Sequence, residues 1–397
     1  MVAILVKIFG PSHLATIEDA LQDTFLKASL QWRQEMPHNP EAWFIAASKN
    51  RVLDLLRQIR AREQREADFP HSSVAREINE YFLDHEVEDS QLRMLFLACN
   101  PSFSRSEQIC FALKTISGFS QKEIANALLE KEETIKKRLQ RARQKIKAEQ
   151  NSLSYPAPSQ IEDHLQGVQQ IIYLIFNEGF HSNRRDSLIN KDLCGEALRL
   201  CKLLLSKENF RSGAIYALFA LLCFNSSRLE SKVSNQEIVD LKNQDRSQWY
   251  LPLIQLGRDS LMRSLADFED RSAYHYEALI AYEHIKASSF EATDWSAILD
   301  YYQQLYKLLP HDAVLLSRAS VLLQMKKFEA ARQTLNQIEA SKLAARAYLY
   351  EAAWAELYSA DAQWEQAKEH LQKAIKSCSN QLEQDYLKKK LADINKV

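Results

Sequence analysis

The sequence predicts an all-α protein, and three observations predict it. Apolar residues recur at helical spacing along most of the 397 residues. Only seven Gly and nine Pro occur in that length, too few for the many turns of a β-rich architecture. In the last third, Trp295-Ser-Ala-Ile298, Phe328-Glu-Ala-Ala331 and Trp364-Glu-Gln-Ala367 each open a helical pattern with an aromatic, at spacings of 33 and 36 residues. That is the length of a stacked helix pair.

Hydrophobic residues make up 46% and charged residues 26%, an ordinary globular composition that supports two or three domains. A net charge of -1 excludes a chain that is basic all over. The charge is uneven, however. Lys131, Lys136, Lys137, Arg138, Arg141, Arg143, Lys145 and Lys147 stand against only Glu132 and Glu133, while Asp84 to Asp89 is acidic. The six cysteines form no Cys-x-x-Cys pair and no His stands at zinc-finger spacing, so buried free thiols in a reducing compartment are expected, with no metal site. Met1 to Phe9 is apolar but too short for a signal-peptide core, and no apolar run reaches membrane-spanning length. A cytoplasmic protein without a membrane anchor is the expectation.

Taken in order, a first helix carries Ala20, Leu21, Phe25 and Leu30 behind an acidic start at Glu18 and Asp19. Pro37 and Pro40 interrupt it, and a second helix runs from about Glu41 to Arg60 with Trp43, Ile45, Val52, Leu53 and Leu56. Residues 61–89 are polar and aperiodic and read as a linker. Helical patterning returns at Leu92 and continues to Gln150. Asn151 to Pro158, with two Pro and two Ser, is the clearest boundary. Helices then follow to the end, with one polar interruption near Asn225 to Arg246. The expected division is therefore 1–62, a linker at 63–90, 91–150, and a helical extension over 159–397.

The most informative segment is Phe119 to Ile146. Ser120-Gln-Lys-Glu123 has capping-box spacing, and Ile124, Ala125 and Leu128 form one apolar face of a short helix. After a break near Glu132, a second helix buries Ile135, Leu139, Ala142 and Ile146 and displays Lys136, Lys137, Gln140, Arg141 and Gln144, flanked by Arg138 and Lys145. Two short helices, the second apolar behind and basic in front, make a helix-turn-helix, whose second helix enters the major groove. There Lys and Arg neutralise phosphates, Arg can read guanine and Gln adenine. Gln121, Lys122 and Thr134 join this surface.

Phe119-Ser-Gln-Lys-Glu-Ile-Ala125, followed by Thr134-Ile-Lys-Lys-Arg-Leu-Gln-Arg-Ala-Arg-Gln-Lys-Ile146, resembles region 4 of bacterial extracytoplasmic-function sigma factors of the sigma-70 family. That region recognises the minus-thirty-five promoter box. Ile17-Glu-Asp-Ala-Leu-Gln-Asp-Thr-Phe25 resembles the region 2 helix that binds the clamp helices of the polymerase β′ subunit, which implies contacts from Glu18, Asp19, Gln22, Asp23 and Phe25. Ala42 to Arg57 resembles the following helix, at melted promoter DNA. There Trp43 offers a stacking face, and Asn50, Arg51 and Arg57 are expected to face DNA. Leu92 to Ser102, Ile171 to Phe180 and Gln244 to Trp249 resemble the subgroup with a C-terminal tetratricopeptide-like extension. The resemblance implies a sigma factor that recruits core RNA polymerase, through β′ clamp helices and β flap, to promoter DNA, with no catalysis and no cofactor. Two departures stand out: Met1 to Phe9 is only a remnant of the usual first helix, and Leu129 and Lys131 replace the family's glycine and N-cap serine.

In the extension, Asn177, Glu178, Asp245, Arg246 and Trp249 are polar or amphipathic among apolar helices and read either as a ligand pocket or as a buried ion-pair network. His181 and His275 are isolated and read as structural. The repeats should offer a concave face to a cytoplasmic protein or ligand. An alternative function is a helix-turn-helix transcription regulator with a sensory helical-repeat domain. A third, an enzyme or scaffold, meets the lack of a nucleotide-binding loop, metal-ligand spacing or catalytic triad in the sequence.

Overall fold

A computed structural model describes the chain except residues 34–35, 64–83, 129, 149–160, 181–188, 235–236, 379 and 396–397. It divides into two compact units, Met1–Ile171 and Ile172–Val397.

The first unit is built of helices throughout. α1 (Val2–Phe9) buries Ala3, Ile4, Leu5 and Val6, so the short apolar N-terminus is core. Gly10, at φ 88°, ends it in a conformation open to glycine, and a 3-10 turn (Pro11–His13) leads into α2 (Leu14–Gln31). α3 (Pro40–Glu63) packs along α2, and α1 packs against both α2 and α4 (Asp84–Ala98). α5 (Arg105–Thr115), α6 (Gln121–Leu128) and α7 (Glu132–Ala148) follow. Helix thus enters both ends of the segment read from sequence as a linker. Residues 84–89 form the first turns of α4.

The sequence boundary at 151–158 lies outside the described residues. The two units meet instead inside α8 (Ile161–Phe180), at Ile171/Ile172. In the first half of α8, which belongs to the N-terminal unit, Leu165 and Val168 are buried, and a Cβ at Gly167 would lie 3.8 Å from Cys99 Cβ.

The second unit contains α9 (Lys191–Leu205), α10 (Gly213–Ser227), α11 (Leu251–Ala266), α12 (Ala273–Lys286), α13 (Trp295–Leu308), α14 (Asp312–Gln324), α15 (Phe328–Leu335), α16 (Ala347–Ala360), α17 (Trp364–Ser377) and α18 (Gln381–Ile394). α10 is apolar on every side and sits centrally, packed by α9, α11 and α12. The polar interruption begins only at Arg228 and holds a two-stranded antiparallel ladder, Val233↔Ile238 and Ser234↔Glu237. Strands of two residues carry no periodic signal, which is why the sequence did not disclose them. Apart from this ladder the described residues form an all-α protein.

Trp295, Phe328 and Trp364 each occupy the first position of their helix. The last two are entered through the same turn. Lys326 (φ 57°) and Ala362 (φ 55°) are left-handed, and the next amide bonds back to Leu322 and Tyr358 respectively. α13 is entered differently, by Asp294 accepting from the Ala297 amide. All six cysteines are buried and free.

Candidate nucleic-acid interface

Local capping sets the site. Ser120 Oγ accepts from the Glu123 amide at 3.1 Å, and Glu123 accepts from the Ser120 amide at 2.7 Å, so the expected capping box is formed. The Glu130 amide bonds to Ala125 O at 2.9 Å and closes α6 into the turn. α6 buries Ile124, Ala125 and Ala127, with Leu128 only part-buried. α7 buries Ile135, Leu139, Ala142 and Ile146, the stripe expected from sequence. A second capping box, Ser104 with Glu107, starts α5, and its Ser-x-x-Glu spacing stands in the sequence.

With the stripe pinned, Lys136, Lys137, Gln140, Arg141 and Gln144 emerge together on the exposed side, and Lys122 is exposed beside them. Gln121 and Thr134 are part-exposed. The two flanking cations do not share this face. Arg138 donates to Glu130 at 2.6 Å, and Lys145 donates to Glu107 and to Ser102 O, each at 2.8 Å. These residues lie two helical turns apart, so both fall on the flank that meets other elements of the unit. Burial raises the cost of the Glu107 carboxylate, but hydrogen bonds from Lys145 and Ser104 outweigh it and hold Glu107 below the usual range. Arg143, on the opposite flank, forms an ion pair with Glu18 of α2.

That pair corrects a second expectation. Asp19, Gln22, Asp23 and Phe25 are exposed on α2, but Glu18 is only 8% exposed and is engaged by Arg143 rather than open to a partner. Burial pushes its pKa up, opposed by Arg143 and Lys114. Arg51 is also committed, bonding Asp23 at 2.7 Å across α2 and α3. Phe25 leans on Phe44 at 4.2 Å between ring centroids, and Trp43 packs edge-on to Trp32 at 5.5 Å. Asn50 is exposed, and the side chain of Arg57 lies outside the described residues. Asp23, Leu26, Leu30, Trp43, Asn50 and Arg51 line one open groove of about 800 Å³. Of the residues expected at polymerase only Asp23 lines this groove, beside Trp43, Asn50 and Arg51 of those expected at melted DNA.

In the second unit, Asp245 is exposed and bonds Ser247 and Gln248, not Arg246. Asp245 and Arg246 therefore do not pair with each other. Trp249 is buried, with its indole N–H donating to Ser231 at 2.9 Å. Asn177 bonds the Tyr173 side chain, whose hydroxyl donates to Glu277 at 2.7 Å, and Glu178 is part-buried. His275 accepts from the Ser272 amide at 3.0 Å and is structural, as expected; His181 lies outside the described residues.

The family model for sigma-70 region 4 matches residues 104–146, which are α5 through α7 with their caps. Residues 104–146 are thus similar to sigma-70 region 4, a DNA-binding domain of the sigma-70 family. A second model, a family of unknown function (DUF6596), matches residues 164–265. The chain is 31% identical over 332 residues to an uncharacterized protein of Rhizobium meliloti (strain 1021), covering 80% of this chain and 76% of the relative, and the two are members of one family. No solved structure matches the chain. Among its described residues no helix is long and apolar enough to cross a membrane, and no group of three or more His, Cys, Asp or Glu could hold a metal ion.

Proposed function

We propose that this protein is a sigma factor of the extracytoplasmic-function type, whose region 4 binds the upstream promoter element and whose region 2 docks on core RNA polymerase. The observation that carries the reading is the exposed face of α7. Lys136, Lys137, Gln140, Arg141 and Gln144 are presented together by a pinned apolar stripe and a capped preceding helix. Such a face supplies phosphate neutralisation and base-edge donors in one groove-sized element. The α2–α3 groove supports the second half, since it joins exposed Leu26 and Leu30 to Trp43 and Asn50. A simple helix-turn-helix regulator has no use for that groove.

Division into region 2, region 4 and a tetratricopeptide-like extension belongs to the same proposal. So does a cytoplasmic setting, where the extension regulates sigma activity in the same chain. The recurrent left-handed turns at Lys326 and Ala362 support the repeat reading. The test is transcription from a dedicated promoter by purified core enzyme with this protein added. Association with core and promoter-dependent initiation are expected. DNA binding without core association would return the helix-turn-helix regulator reading.

A further inference from the structure

We infer that the second unit holds an oxyanion-binding site, for a carboxylate or phosphate group, between Arg228 and Arg246 at His284. Neither the region 4 reading nor any property of the promoter enters the argument.

Two guanidinium groups are placed where cations repel. Arg228, the C-cap of α10, is largely buried, and both Arg246 and burial disfavour its charge. Desolvation comes first and the neighbouring cation second, and together they lower Arg228 to about 10. Arg228 donates to Asn225 at 3.0 Å and lies 5.7 Å from the Phe180 ring centroid. Arg246 lies over the Trp249 ring at 4.6 Å. Its Nη1 caps the C-terminal end of α12, donating to His284 O at 2.6 Å and Ala287 O at 2.8 Å. Those carbonyls satisfy one nitrogen and offset part of the charge.

The remaining polar atoms are not satisfied. Arg246 Nη2 and His284 Nδ1 are both buried and bond to nothing among the described residues. Asp245, the nearest acid in sequence, is turned to Ser247 and Gln248. The carboxylate that acts on Arg246 is Glu291, which is exposed and makes no ion pair with it. No carboxylate pairs with Arg228 or Arg246 among the described residues; burial first, and after it the two cations, lower His284 to about 4. Burying like charges without a counter-charge is costly. An oxyanion removes the cost in one step: it takes the free Nη2 donor, accepts from the Arg228 fork, and offers an acceptor to a His284 tautomer that carries the proton on Nδ1. The Trp249 ring backs the Arg246 guanidinium, which suits planar recognition of a carboxylate or phosphate, while Lys232 Nζ, a further cation, sits 3.8 Å from the Phe180 ring centroid. Phe180, Arg228, Arg246 and Trp249 all fall within the 164–265 match of unknown function, to which this assigns a chemistry.

The full chain should be titrated with inorganic phosphate and, separately, with acetate, against chloride at equal ionic strength. Thermal unfolding and the His284 ring resonances would be followed. One of the two anions is expected to stabilise saturably and to shift the His284 signals, while chloride does neither. Stronger phosphate binding names a phosphate ligand, and stronger acetate binding a carboxylate. Arg228→Gln should weaken the effect by about tenfold or more, the loss of one charge-assisted pair. Arg246→Lys, which keeps a charge near the α12 carbonyls, should weaken it while remaining folded. Equal responses to all three anions, or the same saturable response in wild type and Arg228→Gln, would overturn the site and leave the two arginines as structural caps.

Discussion

At the residue scale, cations on one helix have different fates. Arg141 and Lys137 are exposed, so replacing either with Ala should weaken promoter binding and lower the magnitude of the salt slope of log K by about 0.9 per lost phosphate contact. Arg138→Ala should act on folding instead. It frees Glu130, at a cost of about 1 kcal/mol for a part-exposed pair, and leaves DNA affinity near wild type when folded protein is matched. Affinity over a salt series, read beside thermal unfolding, separates the two. An Arg138→Ala defect confined to DNA binding would reject the assignment.

Glu18 and Arg143 make an asymmetric pair. The carboxylate is already disfavoured by burial, and its Oε1 has no partner among the described residues. Glu18→Gln should therefore be neutral or stabilising, whereas Arg143→Ala strands a buried carboxylate and should cost about 2 kcal/mol. The pH sign follows from the raised folded pKa. The charged form is penalised at neutral pH, and the fold gains stability as pH falls through that pKa towards the ordinary 4.5. Any advantage of Glu18→Gln should shrink over the same window. Glu107 runs the other way, because its folded pKa is depressed; its contribution is present above 4.5 and is lost as pH falls below that value. Unfolding of each variant across the acid range measures both signs.

At the element scale, two turns and one crossing are the sensitive points. Lys326 and Ala362 hold left-handed conformations that cost an L-residue about 1–2 kcal/mol. Lys326→Gly and Ala362→Gly should each recover part of that, raising stability by about 0.5–1 kcal/mol after the entropy that glycine loses on folding. Gly257 behaves oppositely. A Cβ there would sit 2.8 Å from the Phe224 ring and 3.0 Å from Cys223 Cβ, so Gly257→Ala must push α11 from α10 and should cost about 1–3 kcal/mol. Calorimetry on the three variants gives the direction; a neutral Gly257→Ala would mean that the crossing is looser than described. The aromatic helix starts that follow these turns and the stripe on α7 were legible because local spacing produces them, whereas the left-handed residues themselves, Lys326 and Ala362, carry no glycine to announce the turn. The α10–α11 crossing was not, since nothing in Leu251 to Ala266 says which helix lies against Gly257.

For the whole molecule, the second unit has its own core, including the cluster around Leu315, Leu322, Trp354 and Leu357. Ending the chain after Ile171, at the unit boundary, should therefore leave a folded first unit that still binds promoter DNA. Transcription by core enzyme should differ from that of the full chain at matched folded concentration if the extension regulates. Equal activity and equal promoter choice would leave the extension without a regulatory part.

The sequence by itself determined the helical class, the capping box at Ser120, the buried stripe of α7, the basic face opposite it and the aromatic starts of three helices. All of these follow from interactions within a few residues, which spacing records directly. Only the tertiary structure decided that Glu18 is closed by Arg143, that Arg51 is spent on Asp23, that Arg138 and Lys145 turn inward, and that Arg246 reaches the His284 carbonyl. Each joins residues on different elements, and a charged side chain's partner is chosen by packing. The spacing of hydrophobic residues reveals which face of a helix is buried, but not which charge waits on the neighbour it is buried against.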